Sequence, residues 1–185
     1  LKVLQQYYTA TKDQRVINLM TRYFKYQLHT LPKYPLKNWT YWAEQRGADN
    51  LAIVYWLYNQ TQDKFLLDLA EIIHQQTYDW TTVFSGNVIR TLNPLPDLHC
   101  VNVAHGLKAP VIYYQQHSHQ KYINAVKSGL SALRDCHGFV NGMYGGDEQL
   151  HGNEPSQGSE LCTAVEMMYS FESILPITGD IYNAD

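Results

Sequence analysis

The sequence has few charged residues and no strong excess of either sign. Lys and Arg together number 14, Asp and Glu number 17, and the formal net charge of the 185-residue chain is -3. Nucleic-acid binding depends on clustered basic side chains, so this composition argues against a nucleic-acid partner. No stretch approaches the roughly 20 consecutive apolar residues of a transmembrane helix, which argues against a membrane partner. The composition does not assign the protein to one cellular compartment.

Cysteine is also scarce. The chain has three cysteines, Cys100, Cys136 and Cys162, and no Cys-x-x-Cys spacing. This number argues against a disulfide framework and against a self-contained zinc knuckle. What is abundant is tyrosine, with 15 residues, beside 4 tryptophans. Such aromatic content is typical of pockets that stack on sugars, although a tyrosine-rich helical core has the same composition.

A helical-hairpin pattern repeats along the chain. Polar turns aligned at Thr61, Ser118 and Thr178 are 57 and 60 residues apart, and residues 11–13 look like a weaker copy. The runs before two of these turns, at residues 51–58 and 111–114, are apolar nearly all round, as in a helix buried on every side. We therefore expect one domain over residues 1–185, with an all-α, (α/α)6-toroid type of fold. A plain α-solenoid is the alternative.

Two long segments without helical periodicity, at residues 80–98 and 138–159, are expected to be loops. In a compact domain, loops of this length are usually functional. The glycine-rich residues 139–149 could add a short β-hairpin. In a toroid such loops lie at one end, so we expect Asn50, His105 and Glu160, each near the start of an inner helix, to converge on one pocket.

The glycine-rich loop carries two adjacent carboxylates, Asp147 and Glu148. A glycosidase needs a carboxylic acid that protonates the leaving oxygen, so both are candidate catalytic residues. A solvated turn has the same composition. His105 and His99 are candidates for contacts with sugar hydroxyls, or else structural histidines.

Glu160 and Cys162 stand two positions apart at the start of an apolar segment. Their side chains share one side only if the chain stays extended through Cys162, with the helix starting near Thr163. Zinc accepts carboxylate and thiolate ligands, so the two residues are candidate metal ligands. The alternative is a buried cysteine beside a carboxylate at a helix N-terminus.

Four short motifs resemble the bacterial β-L-arabinofuranosidase family of glycoside hydrolases, glycoside hydrolase family 127. They are the segment from Trp42 to Trp80 (with WAEQRGADNL and WLYN), Ala104-His-Gly-Leu-Lys-Ala109, Gly145-Gly-Asp-Glu148 and Gly158-Ser-Glu-Leu-Cys162. The resemblance implies an (α/α)6 barrel that hydrolyses arabinofuranoside-like or related plant-type glycans. The chain would then be an incomplete barrel, covering the N-terminal and central part.

The resemblance also implies roles for individual residues. Glu148 would be the acid/base, Glu160 and Cys162 would bind zinc, and His105 would contact the sugar. We add His99, Asn50 and Trp42 as predicted substrate contacts. The remaining zinc ligands and a cysteine nucleophile are expected on a downstream segment, so the chain alone should be inactive.

Three residues depart from the family pattern: Ala104, Lys108 and Leu161 replace the usual glycine, arginine and small polar residue. Two other functions stay open. One is an unsaturated glycuronyl hydrolase or lyase that uses Asp147 or His105, and the other is a non-enzymatic module that binds a glycan or a protein. An oligomer is possible in each case.

Overall fold

The computed structural model describes residues 1–91 and 98–179. Contacts between Cα atoms divide the chain into two compact units, residues 1–78 and residues 79–185. The described residues form helices joined by turns and loops, with isolated β-bridges and no longer strand. This confirms the predicted all-α class. The prediction of a single domain stays a prediction.

The first unit contains six helices: α1 (Lys2–Thr11), α2 (Gln14–Thr30), α3 (Leu36–Trp39), α4 (Tyr41–Gln45), α5 (Gly47–Thr61) and α6 (Phe65–Gln76). Helix α5 is buried on several sides, as its apolar sequence predicts. Helices α2 and α6 each bury a single stripe, because polar residues occupy their other positions. Helix α5 packs against both of them, so it is the inner helix of this unit.

The second unit contains α7 (Trp80–Ser85), α8 (Cys100–Leu107), α9 (Ala109–Tyr114), α10 (Gln120–His137) and α11 (Leu161–Thr178), with short 3-10 helices at Val88–Arg90 and Pro155–Gln157. Every residue of α8 is buried. The expected loop at 80–98 is partly helical, since Asp79 caps α7 by accepting the N–H of Thr82 at 3.0 Å. Residues 92–97 of that loop lie outside the described part.

Two glycines inside helices allow aromatic side chains to pack against the backbone. The Trp80 and Phe84 rings of α7 stack with centroids 5.5 Å apart. A Cβ atom on Gly106 of α8 would overlap the Trp80 ring, and one on Gly129 of α10 would lie 2.6 Å from Phe84. Glycine normally weakens a helix, so its presence here is explained by this close approach. The aromatic pair thus links α8 to α10.

Two of the predicted hairpin turns share one construction. In residues 11–13 and 61–63, the threonine hydroxyl donates to the carbonyl four residues earlier, at 2.8 and 3.1 Å, and accepts the N–H of the aspartate two residues later, at 3.3 and 3.2 Å. The middle residue has a left-handed backbone, with φ 57° at Lys12 and 60° at Gln62. Ser118 lies in the turn before α10, and Thr178 ends α11. The hairpins at residues 11–13, 61–63 and 118 are therefore confirmed, whereas the run expected after Thr178 lies outside the described residues from 180 onward.

Among the described residues, no helix has both the length and the apolar character needed to cross a bilayer.

The left-handed residue Gln62 gives a stability prediction. Glycine adopts this backbone without the steric cost that a Cβ atom brings, so Gln62→Gly should raise the free energy of unfolding by about 0.5–1 kcal/mol. The matched control is Gln60→Gly inside α5, which should lower it by a similar amount. Urea denaturation of the three proteins measures both effects. A loss of stability in Gln62→Gly would contradict the proposed role of the turn.

Candidate active site and metal cluster

The loop between α10 and α11 docks on the start of α8. Isolated bridges join His99 to Gln149 and Gly146 to both Leu150 and Ser159. The N–H of Cys100 donates to the carbonyl of Glu148 at 2.9 Å. The predicted hairpin at residues 139–149 is therefore reduced to isolated bridges, and the loop is ordered by its contacts with α8.

The buried residue His137 anchors the loop between α10 and α11 through its ring and its carbonyl group. Its Nε2–H donates to the carbonyl of Ile89 at 2.6 Å, and its Nδ1 accepts the N–H of Gly152 at 2.9 Å. Its own carbonyl accepts the N–H of Gly145 at 2.6 Å. Burial lowers the pKa of His137, and the bond to Ile89 only partly offsets this. The ring is therefore neutral, with one tautomer that satisfies both partners.

Glu148 is held by His99 at the first turn of α8. The Nε2 of His99 lies 2.9 Å from Oε2 of Glu148. The Nδ1 of His99 accepts the N–H of Val101 at 3.2 Å and so caps α8, which leaves the ring proton on Nε2. The side chain of Glu148 is 79% exposed, whereas that of His99 is 17% exposed. The result is an accessible carboxyl group whose direction is set by a half-buried imidazole.

Asp147 has a different environment from its neighbour. Its Oδ1 accepts the N–H of Glu148 at 2.7 Å and lies 3.4 Å from Nε2 of His151. The backbone bond from Glu148 lowers the pKa of Asp147, and the nearby His151 adds to this. The ionised form of Asp147 therefore stabilises the turn. Both predicted catalytic carboxylates lie near an imidazole, and the contact of Glu148 with His99, at 2.9 Å, is the shorter of the two.

Glu160 lies beside Cys100. The Cys100 side chain is fully buried, and its Sγ is 3.6 Å from Oε2 of Glu160. The hydroxyl of Thr163 donates to the same sulfur at 3.2 Å. Burial raises the pKa of the Cys100 thiol to about 11, and the neighbouring Glu160 also raises it. One ligand atom each from His99, Cys100 and Glu160 lie within 4.8 Å of one another, so these residues could hold a metal ion.

Cys162 has a different position. Helix α11 begins at Leu161, two residues before the start that a convergent Glu160–Cys162 pair requires. Glu160 is the N-cap with an extended backbone, and Cys162 is exposed in the first helical turn. The structure thus brings Glu160 to Cys100, and the role of Cys162 as a metal ligand stays a prediction.

His105 belongs to a polar cluster between α8 and α11. Its Nδ1 is 3.1 Å from Oε2 of Glu166. The fully buried Lys108 donates to the carbonyl of His105 at 3.2 Å, and its Nζ lies 3.7 Å from Glu166. The same Nζ lies 4.8 Å from the centre of the Tyr169 ring. His105 therefore contacts an acidic side chain, Glu166, and a basic side chain, Lys108.

The other two predicted substrate contacts lie in the first unit. The side-chain amide of Asn50 donates to Oε1 of Gln27 at 3.0 Å. Trp42 is 44% exposed, and the Arg46 guanidinium lies 4.5 Å from the centre of its ring. Their role in substrate binding stays a prediction.

Sequence reasoning passed over Cys100, Thr163 and Glu166. Cys100 directly follows His99, which was a usable signal, because adjacent histidine and cysteine residues at a helix start can both supply ligands. The contacts of Cys100 with Glu160 and Thr163 span 60 and 63 residues. No local pattern in the sequence indicates pairings over such distances.

A helical-hairpin protein with an exposed carboxyl group held by an imidazole, beside a cluster of potential metal ligands, has the parts of a hydrolytic enzyme. Residues 1–185 match the family described as beta-L-arabinofuranosidase, GH127 catalytic domain. The chain belongs to this family of glycoside hydrolases, and its all-α hairpins agree with that assignment. Neither the curated proteins nor the solved structures gave a match.

The His137 anchor predicts a pH dependence of stability. The pKa of His137 is below its ordinary value of about 6.5 in the folded protein, so below that pH the unfolded chain binds a proton that the folded chain does not. The free energy of unfolding should then fall with decreasing pH, by at most about 1.4 kcal/mol per pH unit for this group. Denaturation of wild type and His137→Gln between about pH 7 and 5 measures it. Equal slopes in both proteins would contradict the prediction.

Proposed function

We propose that this chain is the catalytic part of a glycoside hydrolase acting on arabinofuranoside-like or related plant-type glycans, with Glu148 as general acid/base. The observation that carries the proposal is the 2.9 Å contact between His99 and Glu148 in the loop on α8. An acid/base must be accessible to substrate and yet hold one direction. Glu148 meets both conditions.

In this mechanism, the Glu148 carboxyl group protonates the glycosidic oxygen as the bond to the sugar breaks. His99 holds one carboxylate oxygen, so the other faces the substrate. Asp147 keeps the turn in place through its bond to the Glu148 N–H. His105, with Asn50 and Trp42, is proposed to bind the sugar, since imidazole and amide groups bind hydroxyls and an indole ring stacks on a sugar face.

Zinc is the proposed cofactor. Glu160 is a candidate ligand both by the family resemblance and by its position beside His99 and Cys100, and carboxylate, imidazole and thiol groups are of the types that zinc prefers. When bound, such an ion supplies positive charge that stabilises an anionic group.

The test compares the Glu148→Gln and Asp147→Asn variants. Both are made in a form of the protein that is long enough to hydrolyse a glycan. Loss of a general acid costs about 10²–10⁴-fold in rate, so Glu148→Gln should lose this much on a natural glycan and Asp147→Asn much less. The loss should be smaller on an aryl arabinofuranoside, because a phenolate leaves without protonation.

Two outcomes would contradict the assignment. If Asp147→Asn loses more activity than Glu148→Gln, the acid belongs to Asp147, as in the glycuronyl hydrolase or lyase alternative. If wild type hydrolyses no member of a glycan panel but still binds one, the chain is a binding module.

A further inference from the structure

The segment that joins α2 to α3 is held in place by α6. Leu31, which follows α2, and Leu36, the first residue of α3, are both buried. The side-chain amide of Gln76, the last residue of α6, donates to the carbonyl of Leu31 at 3.0 Å and accepts the N–H of Leu36 at 3.1 Å. The backbone between the two leucines is therefore fixed at both ends.

Aromatic rings on and beside this ordered segment are exposed. Tyr26, Tyr34 and Trp39 are 55%, 61% and 40% exposed. The Nε1–H of Trp39 donates to the carbonyl of Tyr34 at 2.9 Å, so the one polar group of the indole ring has its partner within the protein. The centre of the Tyr26 ring lies 6.5 Å from that of Trp39, and the two ring planes meet at 62°. The indole ring thus presents apolar surface in a set orientation, beside a second ring.

The exposed apolar groups of this region are of one chemical type. The large hydrophobic side chains that residues 26–42 expose are all aromatic, namely Tyr26, Tyr34, Trp39, Tyr41 and Trp42. Helix α11, by contrast, exposes the aliphatic side chains of Leu161, Val165 and Met168. An aliphatic helix face is suited to packing against another apolar element. Aromatic rings with polar tips are suited to a ligand that has both an apolar face and hydroxyl groups, such as a sugar.

The same region is basic. The net charge of the whole chain is -3, yet residues 14–43 contain no Asp or Glu and five basic residues, Arg15, Arg22, Lys25, Lys33 and Lys37. Lys33 and Lys37 are exposed, one directly before Tyr34 and the other two positions before Trp39. A ligand on these rings therefore meets a positive field, which favours an anion.

We propose that Tyr26, Tyr34, Trp39, Lys33 and Lys37 form a binding surface for an acidic glycan, a sugar chain that contains uronic acids. Sugar rings stack on the aromatic side chains, and the uronic carboxylates pair with the two lysines. Exposed ion pairs are weak and are screened by salt, so stacking supplies most of the affinity and the lysines supply the preference for acidic sugars. The choice of a glycan as the ligand rests on the proposed function, whereas the surface itself consists only of residues of the first unit.

The experiment titrates the protein by calorimetry with an oligogalacturonide, which is a chain of uronic acids. Its methyl ester is the matched ligand, because it keeps the sugar rings and removes the charges. The variants are Trp39→Ala, Tyr26→Ala and the double variant Lys33→Gln with Lys37→Gln. The matched controls are an exposed tyrosine of α1 and an exposed lysine of α10, in Tyr7→Ala and Lys121→Gln.

We expect wild type to bind the acid more tightly than the ester, with a preference that falls as salt rises from about 0.01 to 0.5 M. Trp39→Ala and Tyr26→Ala should each weaken binding of both ligands by about tenfold, since the sugar loses apolar area on which it is buried. The double lysine variant should bind the acid and the ester equally. The two control variants should bind as wild type does.

Absence of binding by wild type, or equal binding of acid and ester, would overturn the proposed ligand. Tighter binding of a single-stranded oligonucleotide of equal charge would assign the surface to nucleic acid instead. Wild-type affinity in both aromatic variants, or an equal loss in Tyr7→Ala, would overturn the location. If circular dichroism shows that Trp39→Ala does not fold, Tyr26→Ala decides, and wild-type affinity in that variant alone then overturns the proposal.

These titrations read binding and not hydrolysis. The proposed surface can therefore fail while Glu148 remains the acid, and the proposed hydrolysis can fail while the surface binds its glycan.

Discussion

The hydrogen bonds of one buried imidazole hold the candidate site together. His137 ends α10, and its ring joins the carbonyl of Ile89 to the N–H of Gly152 while excluded from water. A neutral ring with a single tautomer has one donor and one acceptor, so both bonds form only when the loop takes this path. Glu148 and the carbonyl groups near Cys100 lie on the loop that this residue anchors.

The loop must also come very close to α8, and this explains its glycines. A Cβ atom on Gly146 would lie 2.7 Å from the Cβ of Cys100, and one on Gly145 would overlap the carbonyl of Gly152. Both glycines are therefore required by packing. Asp147 and Glu148 follow these glycines. Their backbone is held by the hydrogen bond from the N–H of Cys100 in α8 to the Glu148 carbonyl and by the bridges of Gly146 to Leu150 and Ser159.

The parts of the fold that sequence predicts well are those with local causes. The hairpins depend on hydrophobic periodicity and on threonine turns whose hydrogen bonds span four residues or fewer, so their signals lie within one window of the chain. The inner character of α5 follows from its lack of a polar face. The candidate site depends on pairings such as Cys100–Glu160 and His105–Glu166, which cross 60 and 61 residues. Glu148 was found because the composition of its loop indicated it, whereas the one local signal for Cys100, its position directly after His99, was passed over.

The position at which α11 begins decides which cysteine meets Glu160. The backbone is extended at Glu160 and helical from Leu161. An extended chain carried on to Cys162 would place both side chains on one side, but each helical residue turns the next by about 100°. Thr163 is thereby turned toward α8 and reaches the Cys100 sulfur. Thr163 is fully buried and Cys162 is exposed. A rotation of α11 that turned Cys162 toward α8 would turn Thr163 toward solvent, and its hydroxyl would lose the Cys100 sulfur. The start of α11 at Leu161 therefore places Glu160 beside Cys100 of α8. No spacing within residues 160–162 could indicate this pairing.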